Sequence, residues 1–325
     1  MKKRTLLVIS AVLLFFSAAC TNKDNSAQTK QDKDKGLTVY TTVYPLTYFT
    51  ERIGGEHVTV SSIYPAGANE HTFEPTQRDM MKLADADIFF YIGLGLEGFV
   101  DKASQTLKGE QVEMIATANS ISDEELELGA IHQEEEHHEA EEGHDDHHHG
   151  DIDPHVWISP HFSQKLSLSI KDALVAHDPE NEAIYTENYE KLVQELEQLH
   201  VDFQKMANEA EHKTFFVSHA AFGYLAEPYG LEQVAIAGLN SQDEPSQKRL
   251  TEIVELAKKN DISYILFEQN VSSKITKVIQ DEVDAESLVL HNLGVLTEKD
   301  IENDETYFTL MRKNLNTLRT ALNEK

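Results

Sequence analysis

The feature that most narrows the folds open to this 325-residue chain is a long helical periodicity with no breaker in it. Beyond Asp178-Pro179, a pair suited to opening a helix, the apolar residues Tyr185, Tyr189, Leu192, Val193, Leu196, Leu199, Phe203 and Met206 keep helical spacing, and neither glycine nor proline intervenes before Lys213. At 1.5 Å per residue this helix is roughly 50 Å long, enough to cross a whole molecule. On either side of it the chain alternates strand and helix signals. Apolar, β-branched runs at 37–44, 58–64, 87–92 and 112–116 read as strands before it, and runs at 214–218, 233–236, 262–267 and 287–292 read as strands after it. Thr76 is a suitable N-cap for a helix reaching Ala84, and Ser159-Pro160 is a cap and first-turn pair for a helix toward Ala176. The expected fold is α/β: two lobes with parallel-type sheets, 37–177 and 213–325, joined by a linking helix at 178–212, with any site in the cleft between them.

The start of the chain has a different character. Lys2-Lys3-Arg4 precede an apolar core from Leu6 to Phe16 and then Ser17-Ala18-Ala19-Cys20, the layout of a secretory signal. The apolar core falls short of the roughly 20 residues a membrane span needs. Cys20, the single cysteine, stands where the small-residue site ends and resembles the lipobox of bacterial lipoproteins. That resemblance implies a signal peptide over 1–19, lipidation of Cys20 and anchoring at the extracellular face of the membrane. Residues 20–36 carry almost no apolar side chains and read as a flexible tether. The formal net charge of -29 argues against nucleic acid or an anionic lipid surface as electrostatic partners, which leaves the lipid as the means of membrane contact.

An 18-residue run, 132–149, holds seven histidines (His132, His137, His138, His144, His147, His148 and His149) and eight carboxylates. It has no apolar face to bury and reads as a solvated loop able to collect several divalent cations weakly. Directly after it, Asp153-Pro154-His155-Val156-Trp157 puts one histidine among ordering residues. Two others fall at the ends of expected strands, where open parallel sheets bind ligands: His71 after the second strand and His219 after the fifth. Each half of the chain thus offers imidazoles to the cleft. His57, His161, His177, His200 and His212 lack such a setting and are read as ordinary surface or helix residues.

With these residues assembled, the chain resembles the zinc-specific solute-binding lipoproteins of ABC importers, the ZnuA and AdcA type within the cluster A-I metal-binding family. The likeness rests on Val43-Tyr44-Pro45, Glu70-His71, the His-rich loop, Asp153-Pro154-His155-Val156-Trp157, Ser218-His219-Ala220-Ala221-Phe222-Gly223-Tyr224 and Asp243-Glu244-Pro245-Ser246, in family order. It implies two lobes on a rigid helix, one tightly held Zn²⁺ on His71, His155 and His219, and delivery to a membrane permease by a monomeric carrier. Manganese-binding relatives carry Glu where His219 stands. Imidazole suits Zn²⁺ and carboxylate-rich sites suit Mn²⁺, so three histidines favour zinc.

Many Gram-positive relatives have a Leu-Glu pair after the final strand, where this chain has Leu293-Gly294. The fourth coordination position then falls to water or Glu70 before His291, with Glu268 expected to steady a ligand rather than touch the ion. A manganese carrier of the same class is one alternative. An extracellular zinc hydrolase is another, since three histidines and an open position can also activate water, but no His-Glu-x-x-His helix is present. An adhesin or extracellular zinc store is a third.

Overall fold

A computed structural model of the chain describes residues 36–127, 152–242, 245–269 and 274–323. Cys20, the expected signal and tether, the His-rich run and Asp243-Glu244 lie outside the described residues.

The first half opens with β1 (Leu37–Thr41), α1 (Tyr44–Gly54), β2 (Val58–Ser62), α2 (Gln77–Ala84), β3 (Ile88–Tyr91), α3 (Val100–Thr106), β4 (Glu113–Ala116) and α4 (Asp123–Glu127). Helices α5 (Pro160–His177) and α6 (Glu182–Glu209) follow. The second half runs β5 (Thr214–His219), α7 (Gly223–Ala226), β6 (Glu232–Ala237), α8 (Gln247–Lys259), β7 (Tyr264–Phe267), α9 (Lys274–Val283), β8 (Glu286–Val289), α10 (Glu298–Glu302) and α11 (Tyr307–Asn323). All eight expected strands are present. They form two four-stranded parallel sheets of matching topology, ordered β2-β1-β3-β4 and β6-β5-β7-β8.

Local chemistry sets the boundaries. Thr76 and Asp79 form a reciprocal capping box at the start of α2, and the Ser159 hydroxyl accepts the Phe162 N–H at the start of α5. Several expected edges move, two of them with a clear local cause. The first strand stops at Thr41, because Pro45 near the start of α1 favours helical φ and Tyr44 is drawn into the helix. The linking helix does not begin at 178: Pro179–Asn181 make a separate 3₁₀ turn, and the continuous α-helix covers Glu182–Glu209.

Helix α6 buries Tyr185, Leu192, Leu196, Leu199, Phe203 and Met206 on one face, the face read from the spacing. It packs against α1, α5 and α11, and α11 in turn packs against β5 and β8. Through these helices a single apolar core runs from Val39 and Phe89 in the first sheet, past Leu196 and Phe203, to Tyr307 and Leu318 and on to Val217 and Leu266 in the second. A smaller cluster of Phe216, Ile253, Ile265 and Ile279 lies where α8 and α9 cover the outer side of the second sheet. Among the described residues the lobes are therefore welded along one side, and a ligand shared by both would lie along the other, at the strands' carboxyl ends. No helix among the described residues is long and apolar enough to cross a membrane.

Candidate metal centre

In each sheet the chain leaves the two central strands in opposite directions, and the crevice outside their carboxyl ends is the natural place for a ligand. In the second sheet that place is taken by His219, the last residue of β5, and Glu268, the first after β7. The His219 Nδ1–H donates to Glu268 Oε1 at 2.6 Å and its Nε2 lies 2.8 Å from the Leu239 carbonyl oxygen. In the first sheet the equivalent crevice is filled by the protein itself. The buried Glu97 carboxylate accepts from Thr42 Oγ1, Ile92 N and Gly93 N at 2.7, 2.8 and 3.0 Å. The first lobe consequently brings its imidazoles from longer connections.

His155 sits at the head of a 3₁₀ turn, Val156–Ile158, fixed by the wholly buried Trp157, whose indole N–H donates to the Asn292 carbonyl at 2.7 Å. Asp153 Oδ1 accepts both the backbone N–H of His155, at 2.8 Å, and its Nδ1–H, at 2.7 Å. The carboxylate fixes the tautomer and leaves Nε2 as the lone-pair nitrogen, an arrangement that orients a ligating histidine. His71 is presented by the loop after β2, where Asn69 Oδ1 accepts its backbone N–H at 3.0 Å while Asn69 Nδ2 reaches across to Ser241 Oγ at 3.1 Å.

One ligand nitrogen from each of His71, His155 and His219 lies within 4.8 Å of the other two, and the Nε2 atoms of His71 and His155 are 3.2 Å apart. Nitrogens held 2.0–2.1 Å from a tetrahedral zinc ion stand about 3.3–3.4 Å apart, so this pair is already spaced as two ligands of one ion. The protonation pattern is uneven. Burial and the two neighbouring imidazoles hold His71 down to about 2, which keeps it neutral. Burial also disfavours charge on His219, but the Glu268 carboxylate and the Leu239 carbonyl outweigh it and push that residue up to about 9.

Glu70 and His291 stand differently. No carboxylate among the described residues joins the three-nitrogen group. Glu70 is buried, its pKa is raised chiefly by that burial, and its Oε1 accepts from Asn292 Nδ2 at 2.8 Å. His291 turns away: its Nδ1 accepts the Leu293 N–H at 2.9 Å and its Nε2 pairs with Asp300 Oδ2 at 3.2 Å, so both ring nitrogens are engaged. Glu268 contacts His219 through the Nδ1 bond already described. The histidines read as ordinary have ordinary settings: His177 meets Glu113, His200 meets Tyr229, and His161 lies near Glu125.

Asn292 had no sequence signal, and Gly294 showed only as a departure whose packing reason was hidden. Asn292 reads as the last residue of a strand, yet the ladder ends at Val289 and its side chain and backbone bind Glu70, Glu268, Gln269 and Trp157 instead. The absence of a side chain at Gly294 is itself structural. A Cβ there would lie 2.6 Å from Glu70 Oε1, so an inward Glu70 and a side chain at 294 exclude one another.

A family profile described as ZnuA, zinc-uptake complex component A periplasmic, matches residues 39–321. The chain belongs to the ZnuA family. It is 36% identical over 324 residues to the zinc-binding protein AdcA of Streptococcus pyogenes, a match covering 98% of this chain and 61% of that protein, so the chain spans about three fifths of the length of the first curated relatives it matches. To the high-affinity zinc uptake system protein ZnuA of Bacillus subtilis it is 36% identical over 323 residues, covering 99% of this chain and 98% of the relative. Among solved structures, the Zn(II)-bound ZnuA-like domain of Streptococcus pneumoniae AdcA superposes with a TM-score of 0.72 at 33% identity, covering 89% of this chain and all of that one. Membership of the ZnuA family accords with the paired parallel sheets and the long helix between them.

Proposed function

We propose that this chain is the zinc-capturing component of an ABC-type importer, holding one Zn²⁺ on His71, His155 and His219 and passing it to a membrane permease. The observation that carries the reading is the convergence of three imidazole nitrogens from two lobes, two of the rings backed by carboxylates. Three nitrogen donors suit zinc better than manganese, and the names of the relatives point the same way. Water completes the shell, since Glu70 is bound to Asn292 and His291 to Asp300. Lipidation at Cys20 keeps the carrier at the extracellular face, and the run from His132 to His149 gathers further ions weakly.

A carrier is favoured over a hydrolase because, among the described residues, the carboxylates beside the imidazoles are engaged: Asp153 and Glu268 hold His155 and His219, and Glu70 is bound to Asn292. Competition binding with purified protein beginning at Leu37 tests the reading. One Zn²⁺ should bind far more tightly than Mn²⁺, and the zinc form should show no esterase or peptidase turnover. Equal affinity for the two ions, or turnover that follows zinc content, refutes it.

A further inference from the structure

The buried amide of Asn292 sits between two carboxylates of opposite lobes. Its Nδ2 donates to Glu70 Oε1 at 2.8 Å and to Glu268 Oε2 at 2.6 Å, which uses both amide hydrogens. Its Oδ1 accepts the Gly294 N–H at 2.9 Å and the Gln269 side-chain amide at 2.9 Å, while its backbone N–H donates to Gln269 Oε1 at 3.1 Å. Every polar group of the side chain is thereby satisfied, and the Trp157 indole, in the segment that carries His155, holds the residue's carbonyl. An amide with no freedom to rotate is a positional device rather than a solvated surface group.

Two independent observations say what it positions. Glu70 precedes His71 in sequence, yet its carboxylate stands outside the group in which the His71 nitrogen lies. The space that takes this carboxylate exists because residue 294 is glycine, and the backbone of Gly294 is itself fixed by Asn292. Resting on the reading that His71, His155 and His219 hold the ion, we propose that Asn292 is a specificity-determining positioning residue. It keeps Glu70 off the metal, so that the ion meets three imidazoles and water instead of three imidazoles and a carboxylate. The clip also ties Glu70 to Glu268, and hence to His219, so the same residue that withholds oxygen from the ion registers one lobe against the other. Withholding a carboxylate from the shell disfavours harder ions of higher coordination number, manganese above all.

The test compares crystal structures of the zinc-loaded protein and of zinc-loaded Asn292→Ala, with Zn²⁺ and Mn²⁺ competition binding on Asn292→Ala and on Asn292→Ala/Glu70→Gln. In the intact protein Glu70 should remain on Asn292 and off the ion. In Asn292→Ala it should move onto the ion, the zinc-to-manganese affinity ratio should fall about tenfold, and Glu70→Gln in the same chain should restore the ratio. Glu70 on the ion in the intact protein overturns the proposal, and that structure decides even if the variant does not fold. A variant that binds both ions more weakly with the ratio unchanged overturns it as well. His155→Ala separates this from the underlying reading: tight zinc binding surviving that change means the site is elsewhere, whereas its loss leaves the clip to be judged on Glu70 alone.

Discussion

In the proposed site, His219 would couple the ion to protons. With a value raised from the ordinary 6.5 to about 9, it is protonated in the metal-free protein at neutral pH. Its contribution to the stability of the metal-free fold is therefore fully present below pH 6.5 and is lost as pH rises through about 9. Zinc held by His219 would have the opposite sense: with Nδ1 kept by Glu268, the ion would take the place of the Nε2 proton. Calorimetry in buffers of different ionisation enthalpy should find about one proton released per ion at pH 7, with apparent affinity falling about tenfold for each unit below pH 9. Affinity flat between pH 6 and 9 would remove Glu268 from this role. Gly294 answers to packing instead. Since a Cβ there meets Glu70 Oε1 at 2.6 Å, Gly294→Ala should cost about 1–3 kcal/mol in denaturant unfolding, and Glu70→Ala in the same chain should recover much of it. At this scale the sequence showed the three imidazoles and Glu268, because residue type and strand-end position are both visible in it. It hid Asn292 and the emptiness needed at Gly294, since both depend on which side chain of the other lobe lies opposite.

Helix α6 was legible for a physical reason: one face of it is buried along its whole length, so burial imposes a period on the sequence. The same periodicity ranks substitutions. Leu196→Ala, at a fully buried position, should destabilise by about 2–5 kcal/mol, and Val201→Ala, 49% exposed on the same helix, by no more than about 0.5 kcal/mol. Equal costs in chemical denaturation would mean the helix is not seated as described. Strands were visible by their β-branched runs, but their ends were not. Beyond β8 the run continues through Leu290 to Leu293, all buried, yet the backbone leaves the ladder, with Leu293 at φ 59° and side chains from Asn292 and Asn314 replacing the lost strand bonds. Burial persists where the hydrogen-bonding pattern changes, and periodicity cannot register that change.

The described residues form two sheets around a largely continuous core, with the proposed metal centre at the side where that core gives way to polar residues. Because the core runs through α6 and α11 into both sheets, thermal unfolding of the metal-free protein should be one transition rather than two. Zinc at about 100 times its dissociation constant should raise the stability of the folded form by about 2.7 kcal/mol. Two transitions, only one of them shifted by zinc, would mean that the lobes fold separately. The decisive measurement is a zinc titration of the chain lacking residues 132–149, made beside the same chain carrying His155→Ala. One tight equivalent is expected in the first and none in the second. Loss of the tight site with the loop, or its survival without His155, would refute the proposed three-histidine site.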